Sequence, residues 1–242
     1  LVQAIRAFEL MAGTLKIAII GDYNFTFNAH HATNLSLDHS GNFLDCEVSY
    51  YWIRVSEAVQ LKPSQLDNYD GIWIAPGPFQ NHFFLNGIFK LLNNLRKPVL
   101  LTGDSFKLFV EYLIVVNHLN PFGEKLISDN LTKGNHFERV EVTPKSKQFI
   151  QLYENFSTTE LTSSRFTMYP QLIEQMDGKI IDIEAVNQFD DPEIISLREH
   201  PFFVSCAFSP QISSTRDLPH PIIYTFLKMA GAVELHEISQ PE

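Results

Sequence analysis

The chain has 242 residues, 45% of them hydrophobic and 19% charged, a globular balance that excludes intrinsic disorder and suits one large core. Eighteen basic residues against 28 acidic ones give a formal charge of −10, which repels phosphate backbones and argues against nucleic-acid or anionic-membrane partners. The longest apolar stretch, Phe109 to Val116, is interrupted by Glu111 and is too short to span a bilayer, and two cysteines, Cys46 and Cys206, exclude a disulfide scaffold and a Cys-rich zinc module while fitting the reducing cytoplasm.

Leu1 to Leu10 read as an expression leader ahead of Met11, and residues 11–242 as a single domain. Leu15–Ile20 is an apolar run of the kind found in strands buried on both faces. Ala29–Phe43 follows as a helix with Ala32, Leu35 and Phe43 on its apolar side. Cys46–Ile53 is a second strand, rich in aromatic and β-branched residues, and Tyr69–Ala75 a third, stopped by Pro76-Gly77-Pro78. Phe84, Leu85, Ile88, Leu91, Leu92 and Leu95 mark one helix face. Lys97–Thr102 is a fourth strand breaking at Gly103, and Ser105–Val116 is apolar nearly all round, as a buried helix would be. This alternation predicts an α/β fold with a mainly parallel sheet covered on both faces. The second half is less regular, with candidate strands at Arg139–Val142, Lys179–Val186, Ile194–Leu197 and Phe202–Phe208 and a final helix over Pro219–Ala230. Gln188–Pro192 and Ser209–Pro221 read as loops.

In such a sheet, ligands bind beyond the carboxyl ends of the strands. Thr102-Gly-Asp-Ser-Phe106 therefore occupies the place of a nucleophile elbow, yet its apex is Gly103, which has no side chain. Asp104 and Ser105 either cap the next helix or contact a ligand with a cationic or hydroxylated group. Gly77 lets backbone approach a ligand closely, as an oxyanion hole requires, whereas Pro78 removes a donor. His30 is a candidate ligand contact. Metal binding by the adjacent His30 and His31 is disfavoured, because neighbouring side chains diverge on a helix and no His-x-x-x-His or Cys-x-x-Cys spacing occurs. No cofactor or metal is expected. His200 and His220 precede Pro and read as loop residues. Cys206 lies in a central strand and Cys46 at the start of another, so both read as structural rather than activated thiols.

Four stretches carry a family resemblance: Ile17-Ala-Ile-Ile-Gly-Asp-Tyr-Asn24 with Ala29-His30, and Tyr69-Asp-Gly-Ile-Trp-Ile-Ala-Pro-Gly77. The others are Lys97-Pro-Val-Leu-Leu-Thr-Gly103 through Glu111-Tyr112, and His200-Pro-Phe-Phe-Val-Ser-Cys-Ala-Phe-Ser-Pro-Gln211. In this order they resemble the class I glutamine amidotransferases, most of all the glutaminase domain of CTP synthases and small proteins related to it. The resemblance implies a flavodoxin-like, three-layer fold. It also implies a Cys nucleophile in a Gly-x-Cys-x-Gly elbow and a His-Pro-Glu segment supplying the base and its orienting carboxylate. The matching stretches here are Leu101-Thr-Gly-Asp-Ser105 and Ser209-Pro210-Gln211, so Gly103 replaces the nucleophile, Ser209 the base and Gln211 the orienting carboxylate.

Glutaminase activity is accordingly expected to be absent. A length of 242 residues leaves no room for a synthetase domain, so any ammonia released would need a partner enzyme. Two functions follow: a pseudoenzyme holding a small ligand near Gly77, Pro78, Asp104, Ser105, Ser209 and His30, or an enzyme with rebuilt chemistry in which Asp104 works with His30 on a small amide or amino-acid-like substrate. A homodimer or docking role through Phe83 and Phe84 is a third, with core packing the expected use of that pair.

Overall fold

A computed structural model describes residues 14–128 and 136–238; the expected leader, Leu1 to Leu10, and Met11 lie outside the described residues. One nine-stranded sheet runs through them, in the order β2-β1-β3-β4-β9-β8-β7-β5-β6. β1 (Thr14–Ile20), β2 (Glu47–Ile53), β3 (Gly71–Ile74), β4 (Val99–Thr102) and β9 (Phe203–Cys206) pair in parallel. β8 (Pro192–Leu197), β7 (Ile181–Asn187), β5 (Glu138–Pro144) and β6 (Thr159–Thr162) continue it antiparallel, so the sheet is parallel at one end only.

The helices are α1 (Asn28–Phe43), α2 (Val55–Ala58), α3 (Pro63–Leu66), α4 (Phe84–Leu92), α5 (Asp104–Val116), α6 (Lys147–Tyr153), α7 (Pro170–Met176), α8 (Pro210–Ser213) and α9 (Pro221–Ile238). Alternate strand residues feed two cores, as the period of two requires. Ala18, Ile20, Ile72, Ile74 and Leu101 meet α2, α3, α4, α5 and α7. Ile17, Ile19, Trp73 and Leu100 meet α1, α6 and α9 on the opposite face. The result is the flavodoxin-like three-layer arrangement expected.

Several local expectations are corrected. Leu35 and Phe43 are exposed, and α1 instead buries Ala29, His30, Thr33, Ser36, Leu37, Ser40 and Gly41. Small polar residues serve here because their hydroxyls return to helix carbonyls, Thr33 to Ala29 at 2.8 Å and Ser36 to Thr33 at 2.9 Å, leaving a smooth surface for close approach. A Cβ on Gly41 would stand 2.9 Å from Val48 Cγ2. α5 is buried on one face only, with Val115 and Val116 exposed at its end. Phe84 and Phe83 are likewise exposed rather than core, Phe83 at 71%. The loop expected over Ser209–Pro221 contains the helical turn α8, and α2, α3, α6, β6 and α7 were not anticipated.

Candidate functional site

The carboxyl ends of β1, β3, β4 and β9 meet at one edge of the sheet, as anticipated. Gly103 forms the N-cap of α5 with φ 64 and ψ −132, a conformation open to glycine but strained for any other residue. Its N–H is shared between the carbonyls of Cys206 (3.0 Å) and Phe208 (3.1 Å), which ties the turn to the end of β9. The chain thus has the sharp strand-to-helix turn of an elbow with nothing at its apex. The space above it is occupied: a Cβ on Gly103 would lie 2.9 Å from Pro76 Cβ and 3.7 Å from Ser209 Oγ. In the sequence Pro76, from the β3–α4 loop, reads only as part of the break after the third strand, and only the fold shows that it closes over the turn.

Ser209 stands beside the elbow, its Oγ 3.7 Å from the position of a Gly103 Cβ, and both it and Gln211, in the adjoining turn α8, are buried. Among the described residues, Ser209 Oγ and both amide atoms of Gln211 have no hydrogen-bond partner. A serine hydroxyl and a carboxamide titrate nowhere near neutrality, so this pair offers no general base. The thiols offer no substitute. Burial pushes Cys206 well above its ordinary pKa, with the nearby Glu160 and Glu193 carboxylates adding to the effect, and burial also raises Cys46 at the far end of β2.

Asp104 opens α5, where the helix dipole favours a carboxylate. It is half-buried, and its side chain lies directly over Gly77: a Cβ there would meet Asp104 Oδ2 at 2.8 Å. Gly77 therefore makes room for an acid, where an oxyanion hole would present donors alone. Pro78 is exposed on the outer side of the same loop.

Ser105 and His30 have other work. Ser105 Oγ donates to Thr102 O and accepts from Thr102 N, both at 2.9 Å, which fixes the turn and leaves the buried hydroxyl saturated. His30 is wholly buried; Nε2 donates to Pro76 O at 2.8 Å while Nδ1 accepts from Asn24 N at 3.0 Å. That pattern requires the neutral ring, and burial lowers its pKa, opposed by the carbonyl contacts and by Asp22. His30 therefore pins the β1–α1 loop to the loop that carries Pro76. It has no free nitrogen for a ligand or for Asp104, which removes the proton partner that the rebuilt-enzyme expectation required.

On the other side of the sheet end lies a polar cluster that the sequence did not reveal. Glu160 Oε1 accepts from His220 Nε2 (2.8 Å) and Tyr153 Oη (3.2 Å), and Oε2 accepts from Ser213 Oγ (3.0 Å). His220 does lie in a loop, but fully buried, and its Nδ1 accepts from Ile222 N at 3.2 Å. The Glu160–His220 separation of sixty residues carries no local signal. Every nitrogen of this histidine is occupied, so the cluster is a structural tie. Among the described residues, no group of three or more His, Cys, Asp or Glu side chains is placed to hold a metal ion, and no helix is long and apolar enough to cross a membrane.

No family model matches the chain. It is similar to CTP synthases of Cytophaga hutchinsonii and Methanosphaera stadtmanae, each 25% identical over 94% of this chain. The chain spans 48% and 46% of those two proteins, about half the length of the curated relatives it matches. Among solved structures, the glutaminase domain of Trypanosoma brucei CTPS, with bound acivicin, superposes with a TM-score of 0.72 at 17% identity, covering 90% of this chain and 94% of that one. A GMP synthase subunit from Thermoplasma acidophilum superposes at 0.59 with 13% identity, covering 94% and 99%.

Proposed function

We propose that this chain, which is related to the glutaminase region of CTP synthases and has the class I glutamine amidotransferase fold, is a glutaminase-silent protein that binds a small molecule at the elbow end of its sheet. The observation that carries this reading is Gly103, which holds the positive-φ apex of the turn and offers no nucleophile. Ser209 beside it supports the same reading, because a hydroxyl is no general base at neutral pH. The unpaired Cys46 and Cys206, both with raised pKa, agree with a reducing cytoplasm and leave no alternative thiolate.

The test is release of glutamate and ammonia from L-glutamine by the purified protein. None is expected, and none from Gly103→Cys alone, since that thiol would meet Pro76 and have no imidazole to deprotonate it. Hydrolysis of L-glutamine by contaminant-free wild-type protein would overturn the silent reading.

A further inference from the structure

The two edges of the sheet are finished differently. At β6, four residues long, the chain folds back over the strand: Ser209 N donates to Leu161 O at 2.9 Å, and Thr162 Oγ1 donates to Ala207 O at 3.3 Å. β2, at the other edge, runs for seven residues without such a cover among the described residues. Ile53 O accepts from Gly21 N, so the odd-numbered residues of β2 turn their backbone groups to β1. Val48, Tyr50 and Trp52 therefore turn their N–H and C=O groups outward, and no described residue bonds them. No residue of β2 is buried, whereas β3, β4 and β9 are buried throughout. Open edges are ordinarily blunted by brevity, Lys, Pro or a bulge. β2 has none of these: its pairing with β1 runs without a register shift, and Glu47 is its only charge, with Arg54 just past the other end.

The edge is also held in place. Trp52 Nε1 donates to Asn34 at 2.8 Å, and Tyr51, 49% exposed, packs edge-on against Tyr69 with ring centres 5.9 Å apart. A strand fixed in this way loses little freedom when another joins it. Tyr50 is the midpoint of β2, and antiparallel self-pairing about it sets Val48 opposite Trp52 of the partner subunit. That register uses every outward group, because each hydrogen-bonded pair of an antiparallel ladder exchanges two bonds. It sets Tyr51 opposite the partner's Ser49 and brings Glu47, opposite the partner's Ile53, within one residue of the partner's Arg54. β2 thus matches itself in length, hydrogen-bond phase and order of charge. We propose that β2 is a dimerisation edge, on which a second copy of this chain pairs antiparallel about Tyr50 and joins the two sheets into one. The formal charge of −10 on each copy opposes association, and salt at about 0.15 M screens it beyond about 8 Å. The elbow ends of the two copies point in opposite directions, so the pairing is independent of what the elbow binds.

The experiment is sedimentation velocity on the full chain, up to about 100 µM in about 0.15 M salt. A two-chain species is expected. Tyr50→Pro removes a central N–H that β1 does not use, and Tyr51→Lys puts a charge on the open edge. Each should weaken dimerisation by about tenfold or more while the circular dichroism of the folded chain is retained, and Tyr51→Phe should leave the dimer intact. The register is read by cross-linking in a Cys46→Ser background. An equal mixture of Ser49→Cys and Tyr51→Cys chains should form a disulfide-linked dimer on mild oxidation, and neither chain alone should. Directly opposite residues of that kind lie about 4.5 Å apart, within disulfide reach. A monomer at about 100 µM, a dimer of full affinity in both Tyr50→Pro and Tyr51→Lys, no cross-link in the mixture, or one in either chain alone would overturn the pairing. A full chain that is monomeric while one begun at Met11 is dimeric would assign the edge to residues 1–10 and overturn the second copy as its occupant.

Discussion

At the residue scale, Gly103 combines two constraints that reinforce each other. A side chain there must adopt φ 64 and ψ −132 and also displace Pro76 from 2.9 Å. Gly103→Ala is expected to cost roughly 2–3 kcal/mol in urea unfolding. A Pro76→Gly background should recover part of that loss, and a double-mutant cycle measures the coupling. Glu193 offers a second residue-scale prediction. Burial raises its carboxyl from 4.5 to about 7, only partly offset by the Asn187 amide that donates to Oε1 at 2.8 Å. The folded state therefore holds a proton that the unfolded chain releases, and the stability this confers is complete below pH 4.5 and lost as pH rises through about 7. Glu193→Gln should gain on the wild type by up to roughly 3 kcal/mol between pH 5 and pH 8, read as a widening difference in melting temperature. A constant difference across that range would contradict the assignment.

At the element scale, Glu160 joins β6 to α8 through Ser213 and to the start of α9 through His220. Removing one partner leaves the others buried without a match, so His220→Ala or Glu160→Ala should cost about 3–5 kcal/mol. Hydrogen exchange should rise first at α8, a single turn that Ser213 ties to this carboxylate. The elements differ in how far the sequence disclosed them. α4 carries its core face openly in Leu85, Ile88 and Leu92. α1 does not, because its buried face is built from Thr33, Ser36 and Ser40, and hydropathy looks for apolar residues. α6 and α7 had readable starts, Ser146 accepting from Phe149 N at 3.3 Å and Pro170 at the first helical position. Those caps open helices of only seven residues, too short for a periodic pattern to stand out.

At the scale of the whole molecule, β9 is inserted between β4 and β8, so the two halves of the sequence share one sheet through the pairs Leu100–Val204 and Thr102–Cys206. Neither half can satisfy its backbone without the other. Limited proteolysis near residues 117–123 should therefore leave the fragments associated, and thermal unfolding should show one transition rather than two. Fragments that separate and stay folded would contradict this. The sequence alone determined most of the buried strands, their α/β alternation and the glycine at the turn, because each is a property of residue type and local order. Only the tertiary structure decided that Pro76 closes over the glycine, that His30 and Ser105 are consumed by backbone groups, and that Glu160 finds His220. Those are distances between segments remote in the chain, and residue type specifies what a group can bond but not which partner the fold brings within reach.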